Sequence, residues 1–322
     1  MLKLPTPQDL AGKLGVPLRA VHTVLRDADA HYEQLELPQP GGKIRRVVNP
    51  RGLLRRLQSV FYESVLLPGL ERSPYSHGGV RGRNILTNVK AHLGQTFVFT
   101  ADLADFYPSI RRERVFRLFE RLGLSQEVAR LCSRLCTFNH RLEQGLVTSP
   151  ILADQLMAPV DERIAGSCRR AGLVYTRFVD DLAISGPFDL EPSGIPALVR
   201  RIVGEHGFHC NEEKDQFGQV ARGATVTQLR LANGHPDVRA TYLAEVERQL
   251  QDAARLAGGG PFQGPYHTEA QIRGRVAFVC WVNPRRKRRL LSLCRQVNWP
   301  RFREEARLHG LERETGVGHT QG

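Results

Sequence analysis

Two adjacent aspartates, Asp180 and Asp181, are the strongest candidates for chemistry in this chain. Residues 174–179 are apolar and β-prone, and residues 182–184 resume that pattern, which predicts a hairpin with the two carboxylates at its tip. Aspartate is also an ordinary turn residue, because it tolerates left-handed backbone and bonds its own main chain. A catalytic role therefore requires a third carboxylate nearby, since two adjacent anions need cations to offset them.

Asp102 supplies the third carboxylate. It ends the apolar run that starts at Thr96, which predicts a buried strand, and it precedes the aromatic turn Phe106-Tyr107. Three convergent aspartates could hold two Mg²⁺ ions, which stabilise the attacking and leaving oxygens of an in-line phosphoryl displacement. We therefore expect Mg²⁺ as the cofactor, with Mn²⁺ able to replace it.

Hydrophobic periodicity predicts the elements that would position these aspartates. Residues 6–30 predict a small helical module, residues 43–48 a strand that follows a turn at 38–42, and residues 53–67 an amphipathic helix. Arg45 and Arg46 on that strand could flank a phosphate-bearing ligand. The glycine-rich segment 75–83, which contains Arg83, has a composition that lets a backbone approach a phosphate or base closely.

Gln144 and Gly145 lie in a segment that breaks at a glycine and a proline before a helix predicted over 151–164. This segment could present the Gln144 side chain and backbone N–H groups to a nucleotide. A further helix is predicted over residues 228–257, where glycines at 258–260 end it.

The charge of the chain favours a polyanionic partner. Its 322 residues carry a net charge of +13, so nucleic acid is the first choice and a membrane surface the second. Residues 271–322 hold twelve Arg or Lys against four Glu, a net +8, and we expect this end to contact phosphate. A merely solvated basic face is the alternative for the cluster at 285–289.

Composition also limits the cellular setting. No apolar run approaches the roughly 18 residues that a membrane-spanning helix needs, and the N-terminus lacks the apolar core of a secretory signal. The six cysteines form no paired CxxC motifs, so we expect reduced thiols and no zinc site. These features predict a cytoplasmic protein.

The order and spacing of the motifs resemble the palm of a reverse transcriptase, and most closely a bacterial retron reverse transcriptase. The matching motifs are Asp102 with Phe106-Tyr107, Gln144-Gly145 with Ser149-Pro150, Phe178-Val-Asp-Asp181, and Asn211-Glu-Glu-Lys214. Residues 87–92 are similar to the retron Asn-Ala-x-x-His element, with Val89 in place of alanine. Residues 225–228 fall where retron enzymes carry Val-Thr-Gly, with Gln228 in place of glycine, and residues 272–284 are similar to the retron thumb.

This resemblance implies an α+β fold, namely a right-hand polymerase with fingers, a palm and a helical thumb. The antiparallel sheet of the palm would carry the Phe-Val-Asp-Asp hairpin. The implied domains are 1–95 for the N-terminal helical module and fingers, 96–225 for the palm, and 226–322 for a basic, RNA-binding thumb.

The resemblance also implies roles for single residues. The metals would be held by Asp102, Asp180 and Asp181 with the Leu103 carbonyl, and Lys214 would act as a general acid near the leaving pyrophosphate. Nucleotide contacts would come from Phe106, Tyr107, Gln144, Arg45, Arg46 and Arg83, with Tyr107 as a steric gate against a 2′-OH. RNA contacts would come from Asn88, His92, Val226, Thr227, Arg273, Arg275, Arg285, Arg286, Arg288 and Arg289.

Structural alternatives remain open for several of these residues. Tyr107 could be a core aromatic, Lys214 an ordinary surface lysine, and His92 a packing residue. For Arg177, a salt bridge that braces the aspartate box is as good an interpretation as a catalytic role.

The implied activity is an RNA-directed DNA polymerase of retron type. It would use dNTPs to copy part of a cognate structured noncoding RNA, its template and primer, into short multicopy single-stranded DNA. Its partners would be this RNA, the DNA product and a separate effector protein in antiphage defence, with no membrane. Two alternatives stay open: another bacterial defence reverse transcriptase with a different template, and a catalytically idle RNA-binding scaffold.

Overall fold

The computed structural model describes residues 2–39, 42, 44–232, 234–262 and 264–311. The chain divides into two compact units, Met1–Gly218 and Gln219–Gly322. Part of the turn predicted at 38–42, the first residue of the predicted strand at 43, and the end of the basic segment after 311 lie outside the described residues. In the described part of the chain, no helix is long and apolar enough to cross a membrane.

The predicted N-terminal helical module is confirmed and consists of α1 (Pro7–Leu14) and α2 (Leu18–Arg26). Thr6 caps α1 because its hydroxyl accepts a hydrogen bond from the Asp9 N–H, while the Asp9 carboxylate accepts one from the Thr6 N–H. Gly15 ends α1 with a left-handed φ of 68°. The buried side chains of both helices join the main hydrophobic core.

A β-hairpin follows, in which β1 (Tyr32–Pro38) pairs antiparallel with β2 (Ile44–Pro50). The sequence pattern predicts β2. It also contains a signal for β1, the alternation of polar and apolar residues in Gln34-Leu-Glu-Leu37, which our prediction missed. The helix predicted over 53–67 is confirmed as α3 (Gly52–Phe61), which continues through a π-helical turn into α4 (Leu67–Gly69).

A four-stranded sheet in the order β4-β5-β3-β6 forms the centre of the first unit. Its strands are β3 (Phe97–Asp102), β4 (Val174–Phe178), β5 (Asp181–Gly186) and β6 (Gln216–Gln219). β5 pairs antiparallel with both β3 and β4. The β4–β5 pair is the hairpin predicted at the two aspartates, and its two-residue turn consists of Val179 and Asp180, since Asp181 already belongs to β5.

Helices cover this sheet and complete the core of the first unit. They are α5 (Ile85–Ala91), α6 (Arg112–Arg121), α7 (Gln126–Leu135), α8 (Ser149–Arg170) and α9 (Ile195–Glu205). The longest of them, α8, exceeds the predicted range of 151–164 and buries apolar side chains from Ile151 to Cys168. Such a helix can present polar groups to the sheet two turns apart, as Asp154 and Asp161 do.

The second unit contains a three-stranded antiparallel sheet and a group of helices. The strands are β7 (Thr225–Val226), β8 (Leu229–Ala232) and β9 (His235–Asp237). The helices are α10 (Ala240–Ala257), α11 (Glu269–Val282), α12 (Lys287–Gln296) and α13 (Trp299–Leu308). The helix predicted over 228–257 is therefore wrong before Ala240, because the alternating Leu229 and Leu231 belong to a strand.

The turn between β7 and β8 explains one departure from the retron pattern. Thr227 and Gln228 connect the paired residues Val226 and Leu229, and both have positive φ, 45° and 64°. A two-residue hairpin loop with positive φ at both positions favours glycine. The glycine that retron enzymes carry at position 228 thus has a conformational reason, and this chain accommodates glutamine in the same turn.

Both units combine helices with antiparallel sheets, which confirms the predicted α+β class. The finer division into domains at 1–95, 96–225 and 226–322 stays a prediction.

Candidate active site

The sheet register brings the three aspartates to one edge of the first unit. Asp102 ends β3 directly opposite Asp181, the first residue of β5. Asp180 precedes Asp181 in the turn, where its carbonyl accepts a hydrogen bond of 3.0 Å from the Leu103 N–H. This hydrogen bond joins the turn to the end of β3. The backbone pairing therefore brings the three aspartates together, as the sequence pattern predicts.

A cavity of about 340 Å³ opens at this edge. Its lining includes Asp102, Asp181 and the segment Glu213–Gln216. Lys214 donates from Nζ to Asp102 Oδ1 at 2.6 Å, so the cation that the sequence placed near the leaving group lies within the site. The segment that carries Lys214 is held by Arg200, which pairs with Asp215 and Glu212.

The carboxylates of this edge repel one another. Although Asp181 is exposed at the start of β5, partial desolvation, and then the neighbouring charges of Asp180 and Asp102, raise its pKa to about 6. Burial also raises the pKa of Asp180, and Asp102 adds to that effect. The hydrogen bond to Asp102 raises the pKa of Lys214. Such mutual destabilisation of charge is typical of a site that a cation completes.

The carboxylates of Asp102, Asp180 and Asp181 are suitable ligands for a divalent cation, although they are not arranged as a complete coordination shell. Among the described residues, no three His, Cys, Asp or Glu side chains are placed together as ligands of one ion, and Asp102 is instead paired with Lys214. Carboxylate and carbonyl oxygens are the ligands that hard divalent ions prefer. Leu103 could contribute only its main chain to such a site, because its side chain is buried in the core.

A buried arginine stands behind the Asp180 turn. Arg177 donates to Asp161 from Nε and Nη2 at 2.8 and 2.7 Å, to Asp154 from Nη2 at 2.8 Å, and to the Val179 carbonyl from Nη1 at 3.0 Å. Burial alone would lower the pKa of Arg177, but the Asp161 charge and hydrogen bonds raise it overall. Of the two interpretations of Arg177, this placement favours the brace.

The glycine-rich segment 75–83 packs under the same turn. A Cβ atom on Gly78 would lie 2.4 Å from Val179 Cγ2 and 2.6 Å from the Val179 nitrogen, so only glycine fits there. The close approach expected from these glycines is therefore made, at Gly78, to protein backbone rather than to a phosphate or base. Arg83 serves the same segment, because its Nη1 donates to the carbonyls of Ser73, Pro74 and Ser76.

The Gln144 loop lies against the β1–β2 hairpin. Val48 N–H donates to the Gln144 carbonyl at 2.8 Å, and Arg45 Nε donates to Gln144 Oε1 at 2.6 Å. Arg46 faces the opposite side of β2 and pairs with Glu36 in solvent. Arg46 and Arg83 are thus held by Glu36 and by backbone carbonyls, whereas among the described residues Arg45 bonds to Gln144. The Arg45 charge also lowers the pKa of Asp180 and of Tyr107, so Arg45 is the best candidate for the triphosphate.

Tyr107 is half-buried beside the aspartates. Burial, followed by the Asp180 charge, raises its pKa to about 12. Its ring packs on Phe106 with centroids 5.2 Å apart, and Phe106 packs in turn on Phe208. Phe106 is only 4% exposed, so it supports Tyr107 from the core and offers little surface to a nucleotide.

Asn88 and His92 do not lie on an RNA-accessible surface. Both side chains are 0% exposed. The His92 ring pairs through Nδ1 with Ser185 Oγ at 2.6 Å and through Nε2 with Thr176 Oγ1 at 2.7 Å, so it joins β4 to β5. The expected RNA contact is thus corrected to packing behind the hairpin. Val226, also 0% exposed, is corrected in the same way, and Thr227 lies in the adjoining turn.

The basic residues of the second unit fall into two groups. Ion pairs within the unit hold four of the predicted RNA-binding arginines: Arg273 with Glu269, Arg275 with Glu245, Arg286 with Asp237, and Arg289 with Glu247. Arg285 and Arg288 are exposed and have no acidic partner in the described part of the chain. Trp281 is 45% exposed, whereas Trp299 is buried under the Arg273 guanidinium, 4.8 Å from its ring centroid.

Comparisons with known proteins identify the family of this chain. Residues 37–243 match the family described as reverse transcriptase (RNA-dependent DNA polymerase). The retron Mx65 reverse transcriptase of Myxococcus xanthus is 32% identical over 315 residues, which cover 88% of this chain and 70% of the relative. The retron Ec86 reverse transcriptase of Escherichia coli is 25% identical over 286 residues, which cover 88% and 87% of the two chains.

A solved structure is also similar. The telomerase from Candida albicans, in complex with a TWJ fragment of telomeric RNA, is 12% identical with a TM-score of 0.47. The match covers 82% of this chain and 56% of the telomerase chain, so this chain corresponds to just over half of that protein.

The chain belongs to the reverse transcriptase family. Within that family it is of the retron type, and it is an RNA-directed DNA polymerase.

Proposed function

We propose that this enzyme copies part of a cognate structured noncoding RNA into short multicopy single-stranded DNA, with Mg²⁺ as the cofactor and Mn²⁺ as a substitute. The observation that carries the proposal is the register that sets Asp102 opposite Asp181, with Asp180 in the adjoining turn. These three carboxylates and the Leu103 carbonyl would hold two ions. Bound ions would stabilise the attacking 3′ or 2′ oxygen and the leaving oxygen of the transfer.

We assign the remaining groups of the site the roles that the family resemblance implies. Arg45 and Gln144, which are hydrogen bonded to each other, would bind the incoming dNTP, with Arg45 on the triphosphate. Lys214 would donate a proton to the leaving pyrophosphate. Tyr107 would exclude a 2′-OH; its replacement by alanine should raise ribonucleotide incorporation, and unchanged incorporation would refute this gate.

The main test replaces the two aspartates of the turn. The double variant Asp180→Ala, Asp181→Ala should abolish DNA synthesis, measured as dNTP incorporation on purified RNA from the native locus. Circular dichroism of the variant should match that of the wild type, because removing two repelling carboxylates does not disturb the core. Polymerisation by this folded variant would reject the assignment.

A second experiment tests the product. Nucleic acid that co-purifies with the wild-type protein is sequenced, and one discrete single-stranded DNA with its parent RNA is expected. Random cellular RNA without a discrete DNA would overturn the retron product and favour a different template.

The role in antiphage defence, with a separate effector protein, is also a proposal. Cells that carry the wild-type locus with its neighbouring genes should reduce phage plaque counts, and the aspartate variant should not. Equal protection by the wild-type locus and by the aspartate variant would show that defence does not require DNA synthesis.

A further inference from the structure

The turn that presents Asp180 has an unfavourable backbone. Val179, its first residue, has φ of 60°, a region that a β-branched side chain rarely adopts. Two-residue hairpin loops usually place glycine, asparagine or aspartate where φ is positive. Because Val179 has no such freedom, additional contacts must hold it in this conformation.

Two contacts do so. The backbone of Gly78 lies close enough to Val179 to prevent any side chain between them. In addition, Arg177 Nη1 donates to the Val179 carbonyl at 3.0 Å. The Val179 peptide group is thus fixed immediately before Asp180.

The guanidinium of Arg177 is itself anchored. Asp154 and Asp161, seven residues apart on α8, face the same side of that helix and accept three hydrogen bonds from Arg177. All three side chains are almost completely buried, at 1%, 2% and 0% exposure for Arg177, Asp154 and Asp161. Ser73 and Tyr175 donate further hydrogen bonds to Asp161, and Arg72 pairs with Asp154.

The charges of this cluster balance, with two guanidinium groups for two carboxylates. A buried charge without a partner would be strongly destabilising, so the cluster leaves Arg177 little freedom to move. The guanidinium that donates to the Val179 carbonyl is therefore held in place by two residues of α8.

We propose that Arg177 is a positioning residue of the polymerase: from its anchor on α8 it holds Val179 in the left-handed conformation and so sets the Asp180 carboxylate for the divalent cation. The inference rests on the proposed function in one respect, because it takes Asp180 as a ligand of the cation. A guanidinium is required, since Nε and Nη2 bind Asp161 while Nη1 reaches the Val179 carbonyl. A lysine has one nitrogen and cannot occupy these separate positions.

The first experiment uses Arg177→Lys in the full-length protein, which keeps the charge and removes the fork. Hydrogen exchange of the peptide 174–186 should become faster, and Mn²⁺ affinity, measured by EPR titration without turnover, should fall about 10- to 100-fold. The kcat should fall in parallel while the KM for dNTP stays close to the wild-type value. A folded Arg177→Lys protein with wild-type exchange and Mn²⁺ affinity would overturn the proposal.

The second experiment asks whether glycine at position 179 makes Arg177 dispensable. Glycine adopts positive φ without steric strain, so Arg177→Lys should weaken Mn²⁺ binding much less in a Val179→Gly background than in the wild type. A role limited to the stability of the core predicts the same loss in both backgrounds, and that result would refute the positioning role.

The matched control is Arg72→Lys, which perturbs the same carboxylate, Asp154, without a bond to Val179. It should lower the melting temperature and leave Mn²⁺ affinity unchanged. An equal loss of affinity in this control would assign the effect to the cluster as a whole and contradict the inference.

Instability of Arg177→Lys does not prevent the test. In that case Asp154→Asn, which removes one anchor and keeps Asp161, is measured for exchange and Mn²⁺ affinity, and wild-type values count against the proposal. Neither readout needs DNA synthesis. A protein that binds Mn²⁺ as described but makes no DNA would contradict the proposed function alone.

Discussion

The three aspartates share one site but differ in their surroundings. Asp102 accepts a hydrogen bond from Lys214 at 2.6 Å. Asp180 lies in a turn that Arg177 holds through the Val179 carbonyl. The pKa of Asp181 is raised to about 6 by partial desolvation and then by the charges of Asp180 and Asp102. Lys214 thus pairs directly with Asp102, whereas its charge only partly offsets the raised pKa values of Asp180 and Asp181. Single substitutions at the three positions need not have equal effects on the rest of the site.

His92 provides a prediction about acid stability. Burial, followed by the His77 charge, lowers its pKa from 6.5 to about 3. The unfolded chain therefore binds the proton more readily, and the contribution of His92 to stability is complete above about pH 6.5 and declines as the pH falls towards 3. We expect His92→Asn to reduce the loss of unfolding free energy between pH 6.5 and 5 by up to about 1.4 kcal/mol per pH unit.

Urea denaturation at several pH values measures this slope. The pKa of His77 is also lowered, to about 4, so some acid sensitivity should remain in the variant. An unchanged slope in His92→Asn would contradict the assignment of His92 to the packed interior.

At the scale of elements, the sequence predicts what local periodicity determines. The β4–β5 hairpin could be predicted from the sequence because apolar runs flank two aspartates. Strand β3 could be predicted because its apolar run ends on Asp102. The sequence did not distinguish between the two interpretations of Arg177. Its partners Asp154 and Asp161 lie on α8, and no local sequence pattern indicates that they contact Arg177. The glycine-rich segment 75–83 was interpreted as suited to a phosphate or base, because glycine allows a close approach whatever the approaching group is.

The junction between β2 and the Gln144 loop gives a prediction at this scale. Gly145 has φ of 105°, and a Cβ there would lie 2.5 Å from the Val48 carbonyl oxygen and 2.6 Å from Val47 Cγ1. Gly145→Ala should therefore push β2 away from the loop, lower stability by about 1–3 kcal/mol, and raise the KM for dNTP as Arg45 and Gln144 separate.

Thermal denaturation and steady-state kinetics measure the two effects. The control is Gly172→Ala, since Gly172 also has a positive φ, 68°, but open space around its Cβ position. It should lower stability through backbone strain without a change in KM. Equal KM values for the two variants would mean that contact with β2 does not position the loop.

At the scale of the whole molecule, net charge indicated a nucleic-acid partner but could not identify the residues that bind it. Four of the arginines expected to contact RNA are engaged in ion pairs within the second unit. Which arginines find partners depends on tertiary contacts between segments distant in sequence, such as Arg286 with Asp237. A count of charges therefore overestimates the binding surface.

The two unpaired arginines give a prediction at this scale. The double variant Arg285→Gln, Arg288→Gln should weaken binding of the cognate RNA and reduce the slope of log K against log salt by about 1 for each phosphate that the variant no longer neutralises. Filter binding across a series of NaCl concentrations measures the slope. Arg286→Gln, which removes an ion pair to Asp237, should lower stability and change the salt slope little. A larger change of the salt slope in Arg286→Gln than in the double variant would contradict the distinction between paired and exposed arginines.

The buried cluster behind the Asp180 turn also limits how this chain can diverge. Replacing any one of Arg72, Asp154, Asp161 or Arg177 by a neutral residue leaves a charge without its partner in the interior, at a cost of about 3–5 kcal/mol. Selection would therefore remove most single substitutions at these positions before a compensating substitution arose. The four positions should be inherited as a set, and among descendants of this sequence they should change together or remain the same.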